Sequence, residues 1–171
     1  KDSSGRSRAF RWTEFTGMQD LGTLGGQESY ATAASEDGSI IVGGSSNAAG
    51  QWRAFRWEAG TMTDVAPDNS VATDVSEDGK VIVGAVYSDS PSLTKAFRWT
   101  ATSGWIDMGS LGGSVTSAWA VSADGSVVVG RSNDSTPLER PFRWIGEPTP
   151  ADYNGDLYLE VVDFLDFVDD F

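Results

Sequence analysis

The chain has 171 residues, a length that suits one domain of ordinary size with its own hydrophobic core. Its 12 Lys and Arg face 25 Asp and Glu, and the net charge of -13 argues against nucleic acid or anionic lipid as a partner. Histidine and cysteine are absent, which excludes zinc fingers, thiol nucleophiles, disulfides and a Ser-His-Asp triad.

Two motifs recur along the chain in a fixed order. The first, A-F-R-W or P-F-R-W, begins at Ala9, Ala54, Ala96 and Pro141. The second, S-x-D-G followed by an apolar stretch that ends in V-G, begins at Ser35, Ser76 and Ser122. The Asp-Gly pair predicts a tight hairpin between strands one and two of a unit, and the alternating Phe-Arg-Trp predicts strand three. A short fourth strand follows each A-F-R-W, as in G-M-Q-D-L-G from Gly17.

A repeat of about 40–45 residues with four antiparallel strands is typical of one β-propeller blade. In chain order, the pattern predicts strands three and four of a first unit at 8–21, complete units at 30–65 and 71–108, and strands one to three of a last unit at 117–144. Either the first strands complete the last blade and close a small ring, or the two ends remain unpaired. The predicted fold is an all-β, propeller-like array of about three full units plus fractions.

The Phe-Arg-Trp strands place Phe10 and Trp12 on one face and Arg11 on the other. Because they share this register, the following tryptophans are expected to form core between blades: Trp12, Trp57, Trp99 and Trp144. The equivalent arginines are Arg11, Arg56, Arg98 and Arg143. Each is expected to make a fork-shaped contact with a turn carboxylate, from Asp37, Asp78 or Asp124.

Three tryptophans fall outside that register and are the candidate ligand-binding residues: Trp52, Trp105 and Trp119. An enzymatic interpretation would need two carboxylates converging in one cleft, as in a glycosidase, whereas the acids here recur with the turns. We therefore expect no enzyme, and no catalytic residue is assigned.

The composition changes near Glu147, since residues 145–171 carry 8 acids and no base. We predict a β-repeat domain at 1–146 and an acidic tail at 147–171. The tail places oxygen ligands with the spacing of a calcium loop, at Asp152, Asn154, Asp156, Tyr158 (main-chain carbonyl), Glu160 and Asp163. Leu157 occupies the position where the loop's sharp turn needs glycine, so calcium binding is expected to be weak, or the loop does not form.

An amphipathic helix is expected to end the tail. The side chains predicted to self-associate are Phe164, Leu165, Val168 and Phe171. This apolar stripe either caps an open end of the β domain or docks onto another protein or subunit.

The repeat resembles the HAF family of extracellular repeats, whose pattern contains A-F-R-W, G-M-x-D-L-G-T-L-G-G, S-x-D-G and V-V-V-G, over about residues 8–144. The middle unit departs from it, with residues 66–69 in place of L-G-G. The tail resembles half of a dockerin module, which uses two such loops. These resemblances imply a β architecture, an extracellular or cell-surface location, and calcium as an accessory ion.

We therefore expect a secreted, non-enzymatic structural or adhesive module that assembles head to tail through incomplete terminal units into a ring or fibre. The alternative is a monomeric propeller that binds a polysaccharide or protein through exposed tryptophans and is tethered by its tail. A carboxylate-dependent glycosidase is the third possibility.

Overall fold

The computed structural model of the protein describes residues 5–88, 93–136 and 138–146, and in these ranges the chain forms strands and no helix. The described strands are β1 (Phe10–Thr13), β2 (Gly17–Asp20), β3 (Gly25–Ala34), β4 (Ile40–Asn47), β5 (Trp52–Glu58), β6 (Thr61–Asp64), β7 (Ser70–Val75), β8 (Ile82–Tyr87), β9 (Thr94–Thr100), β10 (Gly104–Asp107), β11 (Gly112–Val121), β12 (Val127–Asp134) and β13 (Glu139–Ile145). They fall into unit I (β1–β2), unit II (β3–β6), unit III (β7–β10) and unit IV (β11–β13). The predicted tail helix lies outside the described residues.

Within each unit, strands that follow one another in the chain pair antiparallel. Unit II is a four-stranded sheet, and unit I is a separate two-stranded sheet. Units III and IV join into a seven-stranded sheet because β11 meets β9 in parallel at one bridge, Val115 with Thr94. The prediction of an all-β chain of antiparallel units is confirmed. No closed ring forms within the described ranges, since β1 and β2 pair only with each other.

The S-x-D-G turns are stabilised by hydroxyl groups of their own loop. Asp37 accepts hydrogen bonds from the Ser35 hydroxyl at 2.8 Å and from the Ser39 amide at 2.9 Å. Gly38 has a φ of 65°, the left-handed conformation that glycine adopts without strain. Bonds from the amide and hydroxyls of the turn lower the pKa of the Asp37 carboxyl to about 2. The turn aspartates of the next two units, Asp78 and Asp124, also have a pKa lowered to about 2.

The predicted fork contacts between the strand-three arginines and these aspartates are wrong. Asp78 pairs with Lys80, and Asp124 accepts from Ser122 and Ser126. Arg56 donates instead to Glu58 at 2.7 Å. A serine two residues away reaches the turn carboxylate with little loss of side-chain entropy, whereas an arginine on a neighbouring strand must extend to it.

Close packing of strand two under strand three explains the glycine of each V-G step. A Cβ added at Gly84 would meet the carbonyl of Val71 and lie 2.7 Å from the ring of Phe97. The same arrangement recurs at Gly43 under Phe55 and at Gly130 under Phe142. The aromatic side chain of strand three therefore fills the space that a side chain on strand two would need.

Candidate interaction faces

Each unit has two different faces, and the core lies between the units. On the Trp face, the Phe and Trp of strand three point toward the preceding unit, and on the Arg face, the Ala and Arg point toward the following one. Between units II and III, for example, Ala54 and Val42 pack with Phe97 and Ile82 in one cluster, and Trp99 packs against it. Equivalent clusters lie between units I and II and between units III and IV. The same type of contact therefore occurs at all three junctions between neighbouring units.

Arginine and tryptophan meet across two of these three contacts. The Arg11 guanidinium carbon of unit I lies 5.9 Å from the ring centroid of Trp57 in unit II. The Arg98 guanidinium carbon of unit III lies 5.3 Å from that of Trp144 in unit IV. Such cation-π contacts contribute about 0.5–2 kcal/mol, more when water is excluded. The sequence pattern predicted that these arginines contact turn carboxylates, whereas in the structure their side chains face the next unit.

Hydrogen bonds add a second link between the first strands of neighbouring units. The Thr32 hydroxyl of unit II donates to the Ala72 carbonyl of unit III at 2.9 Å. The Thr73 hydroxyl of unit III donates to the Ala118 carbonyl of unit IV at 3.0 Å. Backbone hydrogen bonds also connect successive S-x-D-G turns: the Glu36 amide donates to the Glu77 carbonyl, and the Glu77 amide donates to the Ala123 carbonyl. The spacing between units II, III and IV is therefore fixed at hydrogen-bonding distance.

The Trp face of unit I has no neighbour among the described residues. Phe10 is 52% exposed, whereas its counterpart Phe97 is fully buried. Trp12 is 64% exposed, whereas Trp57 is buried. The prediction that Trp12 lies in the core is wrong for the described part of the chain, in which no residue covers the Trp face of unit I. Trp57 is buried as predicted, and Trp99 and Trp144 are partly buried against the neighbouring unit.

The Arg face of unit IV is open in the same way. Val129 is 42% exposed, whereas the equivalent valines of units II and III are fully buried. Pro141 and Arg143, at the positions of Ala54 and Arg56, are also exposed. The two ends of the described array therefore present opposite halves of the contact that holds its interior together.

The three tryptophans predicted to bind a ligand lie in three different units and form no ring contact with one another in the described ranges. Trp52 is half-buried, with its ring centroid 5.3 Å from that of Tyr30. Trp105 is exposed at the outer strand of unit III, and Trp119 is exposed on unit IV with the Arg131 guanidinium 5.8 Å from its ring centroid.

The predicted calcium ligands and the predicted self-association stripe fall on 147–171 and lie outside the described residues. Within the ranges that are described, no group of three or more acidic side chains is arranged to hold a metal ion. In the same ranges, no helix is long and apolar enough to cross a membrane.

The sequence pattern missed Phe10, Trp12, Val129 and Arg143 as candidate interaction residues. The available signal was the incomplete first and last repeat. Residues of strands two and three that are buried in interior units are exposed where no other described unit packs on them, so burial at these positions depends on place in the array.

No family model matches the chain, and no curated protein matches it. Among solved structures, the chain is similar to TolB from Acinetobacter baumannii, a β-propeller protein, with a TM-score of 0.55 and 15% identity. The match covers 78% of this chain and 33% of TolB, so the chain spans about a third of that protein's length. At this identity the likeness concerns the fold, and it fits units that pack face to face as blades do.

Proposed function

We propose that the protein is a secreted, non-enzymatic structural or adhesive module that assembles head to tail through its terminal units. The observation that carries this proposal is the pair of open faces. The Trp face of unit I and the Arg face of unit IV are the two halves of a contact that occurs three times inside the array. A face that is buried whenever a neighbour exists provides a ready surface for a further unit.

A contact of this kind joins two different surfaces, so it does not close on itself as a two-fold dimer does. Repeated addition gives a ring if the rotation between copies closes, and a fibre if it does not. The copies carry a like charge of -13 each, which opposes association at low salt. We therefore expect assembly to strengthen as ionic strength rises.

Two further observations support a role without catalysis outside the cytosol. The aspartates of the S-x-D-G turns accept hydrogen bonds from hydroxyls of their own loops, which gives these carboxylates a structural role in the turn. The resemblance of the repeat to HAF-family proteins favours a secreted, cell-surface location. In this proposal calcium is an accessory ion of the tail.

The test is the molar mass of the full chain by light scattering over a range of concentrations, in calcium and in chelator. We expect a mass that rises with concentration above that of the 18.2 kDa chain. Trp12→Glu should suppress the rise, whereas Phe15→Glu, at an exposed aromatic in the β1–β2 turn, should not. A monomer at every concentration and in both buffers would overturn the proposal.

A second function is favoured by the exposure of Trp105 and Trp119. In this alternative, the protein is a monomeric extracellular propeller that binds a polysaccharide or protein through these rings and is tethered by its tail. Quenching or enhancement of tryptophan fluorescence by a soluble glycan, lost in Trp105→Ala or Trp119→Ala, would support it. A monomeric protein whose fluorescence no glycan changes would count against it.

A further inference from the structure

Unit II contains a pair of aromatic side chains that are in contact across its sheet. The Tyr30 ring on β3 and the Trp52 ring on β5 lie with their centroids 5.3 Å apart and their planes inclined by 45°. Tyr30 lies opposite Gly44 of β4. Trp52 lies opposite Ser46, the next residue of β4 on the same face, so both rings project from one side of the sheet. The two rings therefore meet above the strand that separates them.

A glycine in the middle strand makes this contact possible. A Cβ added at Gly44 would lie 3.0 Å from the Cζ and Oη atoms of Tyr30, so the phenol ring rests directly on the backbone of that glycine. A side chain at this position would push the Tyr30 ring away from its place beside Trp52. The equivalent position carries Ala85 in unit III and Arg131 in unit IV.

Three positions thus differ together in unit II. The counterparts of Tyr30, Gly44 and Trp52 are Val71, Ala85 and Thr94 in unit III, and Ser117, Arg131 and Glu139 in unit IV. Units III and IV form the same antiparallel pairings with aliphatic or polar side chains at these places. The repeat fold therefore does not need the aromatic pair, which leaves binding as its role.

The aromatic pair is accessible to a ligand. Tyr30 is 40% exposed, and Trp52 is partly exposed. The pair lies toward the end of β4 that is remote from the S-x-D-G turn. Along the chain it is flanked by exposed polar side chains, those of Gln27, Glu28 and Gln51. An apolar platform with amide and carboxylate groups around it is the result.

The Tyr30 hydroxyl adds a polar group to this platform. Burial and, to a smaller extent, the neighbouring phenol of Tyr87 raise the pKa of Tyr30 above its ordinary value. The hydroxyl therefore stays protonated at neutral pH and can both donate and accept a hydrogen bond. Ring faces beside a hydroxyl are complementary to a sugar, because its C–H groups stack on aromatic rings and its own hydroxyls need polar partners.

Charge and area narrow the class of ligand further. The net charge of -13 opposes the approach of an anionic ligand, which favours a neutral one. Two aromatic side chains bury about 150–250 Å² each when they are covered, well below the ~800 Å² that each partner contributes to a standard protein interface. The pair therefore fits a small neutral ligand better than it fits a protein surface.

We infer that Tyr30 and Trp52 form a binding site for a neutral pyranose glycan, with sugar rings stacked on the two aromatic faces and the Tyr30 hydroxyl bonded to a sugar hydroxyl. This inference goes beyond the proposed assembly and holds whether or not the chain assembles. The site is separate from Trp105 and Trp119, the residues of the alternative function, which lie in units III and IV.

The experiment is a calorimetric titration of the full chain with two neutral hexasaccharides, cellohexaose and maltohexaose, up to millimolar concentration. We expect saturable binding of at least one of them. Tyr30→Ala and Trp52→Ala should each weaken binding by about tenfold or more, and Tyr30→Phe, which removes only the hydroxyl, should weaken it less. Gly44→Ala should also weaken binding although it removes no aromatic atom, because its Cβ displaces the Tyr30 ring.

The matched controls are exposed aromatic side chains in other units. Phe15→Ala and Trp105→Ala should bind the hexasaccharide as the wild-type chain does. Circular dichroism checks the fold of each variant, and Tyr30→Ala, at an exposed ring, keeps the test decisive where Trp52→Ala does not fold. Binding that survives Tyr30→Ala, or that Trp105→Ala abolishes, would overturn the assignment of this site. Failure of both hexasaccharides to bind would overturn the inference and leave the proposed assembly standing.

Discussion

The repeat offers a matched pair of substitutions that measures whether the Trp face of unit I is open. Phe10 and Phe97 occupy the same position of the same A-F-R-W motif, in units I and III. Phe97 is fully buried between two units, and Phe10 is 52% exposed. The same change, Phe→Ala, therefore removes the same atoms from two environments that differ by one missing neighbour.

The expected costs follow from burial. Phe97→Ala deletes a ring packed on both sides and leaves a cavity, which destabilises by about 3–5 kcal/mol. Full burial of a phenylalanine side chain stabilises by ~2 kcal/mol, and Phe10 is only about half buried. Phe10→Ala leaves no enclosed cavity, so it should lower the free energy of unfolding by about 1 kcal/mol. For a chain of this size, each kcal/mol lowers the melting temperature by about 2–4 °C.

The assay is urea unfolding followed by far-UV circular dichroism, with protein diluted below the range in which assembly occurs. Comparing midpoints avoids dependence on a single two-state fit, which repeat arrays do not always obey. Phe15→Ala, at a ring that is 97% exposed in the β1–β2 turn, is the control and should cost almost nothing. If Phe10→Ala destabilises dilute protein as much as Phe97→Ala, the Trp face is covered and the account of the open ends fails.

Three further predictions test the packing and the turns. Gly84→Ala should destabilise by about 1–3 kcal/mol in thermal unfolding because its new Cβ meets backbone, whereas Gly44→Ala should cost less, because the three atoms nearest its new Cβ belong to the movable side chain of Tyr30. Unfolding free energy should fall as pH drops from about 4 toward 2, since the pKa of Asp124 is about 2 in the folded protein and higher when unfolded, and Asp124→Asn should reduce this slope in acid titrations. Thr73→Val should cost about 1 kcal/mol in urea unfolding by deleting one bond between units, and no cost would show that this bond is not a determinant of unit spacing.

The features that the sequence predicted correctly are those that local chemistry decides. The Asp-Gly turns lie where the pattern placed them, because glycine alone accepts the backbone conformation at Gly38 without strain. The alternation of strand three also holds, with Phe55 and Trp57 on one face and Arg56 on the other. Turns and strand alternation are determined by a few neighbouring residues, so a single copy of the motif is enough to predict them.

The features that the sequence did not predict depend on distant neighbours. Trp12 shares its motif with Trp57, yet only Trp57 is buried, because burial is set by the presence of a preceding unit. The arginine partners were assigned wrongly for a related reason. Because unit III has a neighbouring unit on both faces, Arg98 does not point into open solvent and lies over Trp144 of unit IV instead.

The faces between units of a repeat array are buried against one another, so these faces are available to a partner only at the terminal units. Departures from the repeat on a terminal face are therefore more informative than the repeat itself. Two such departures lie on the Arg face, where Trp119 replaces a threonine and Pro141 replaces an alanine that is fully buried in units II and III. Both changes make this face unlike the interior faces at positions where a complete unit would pack closely.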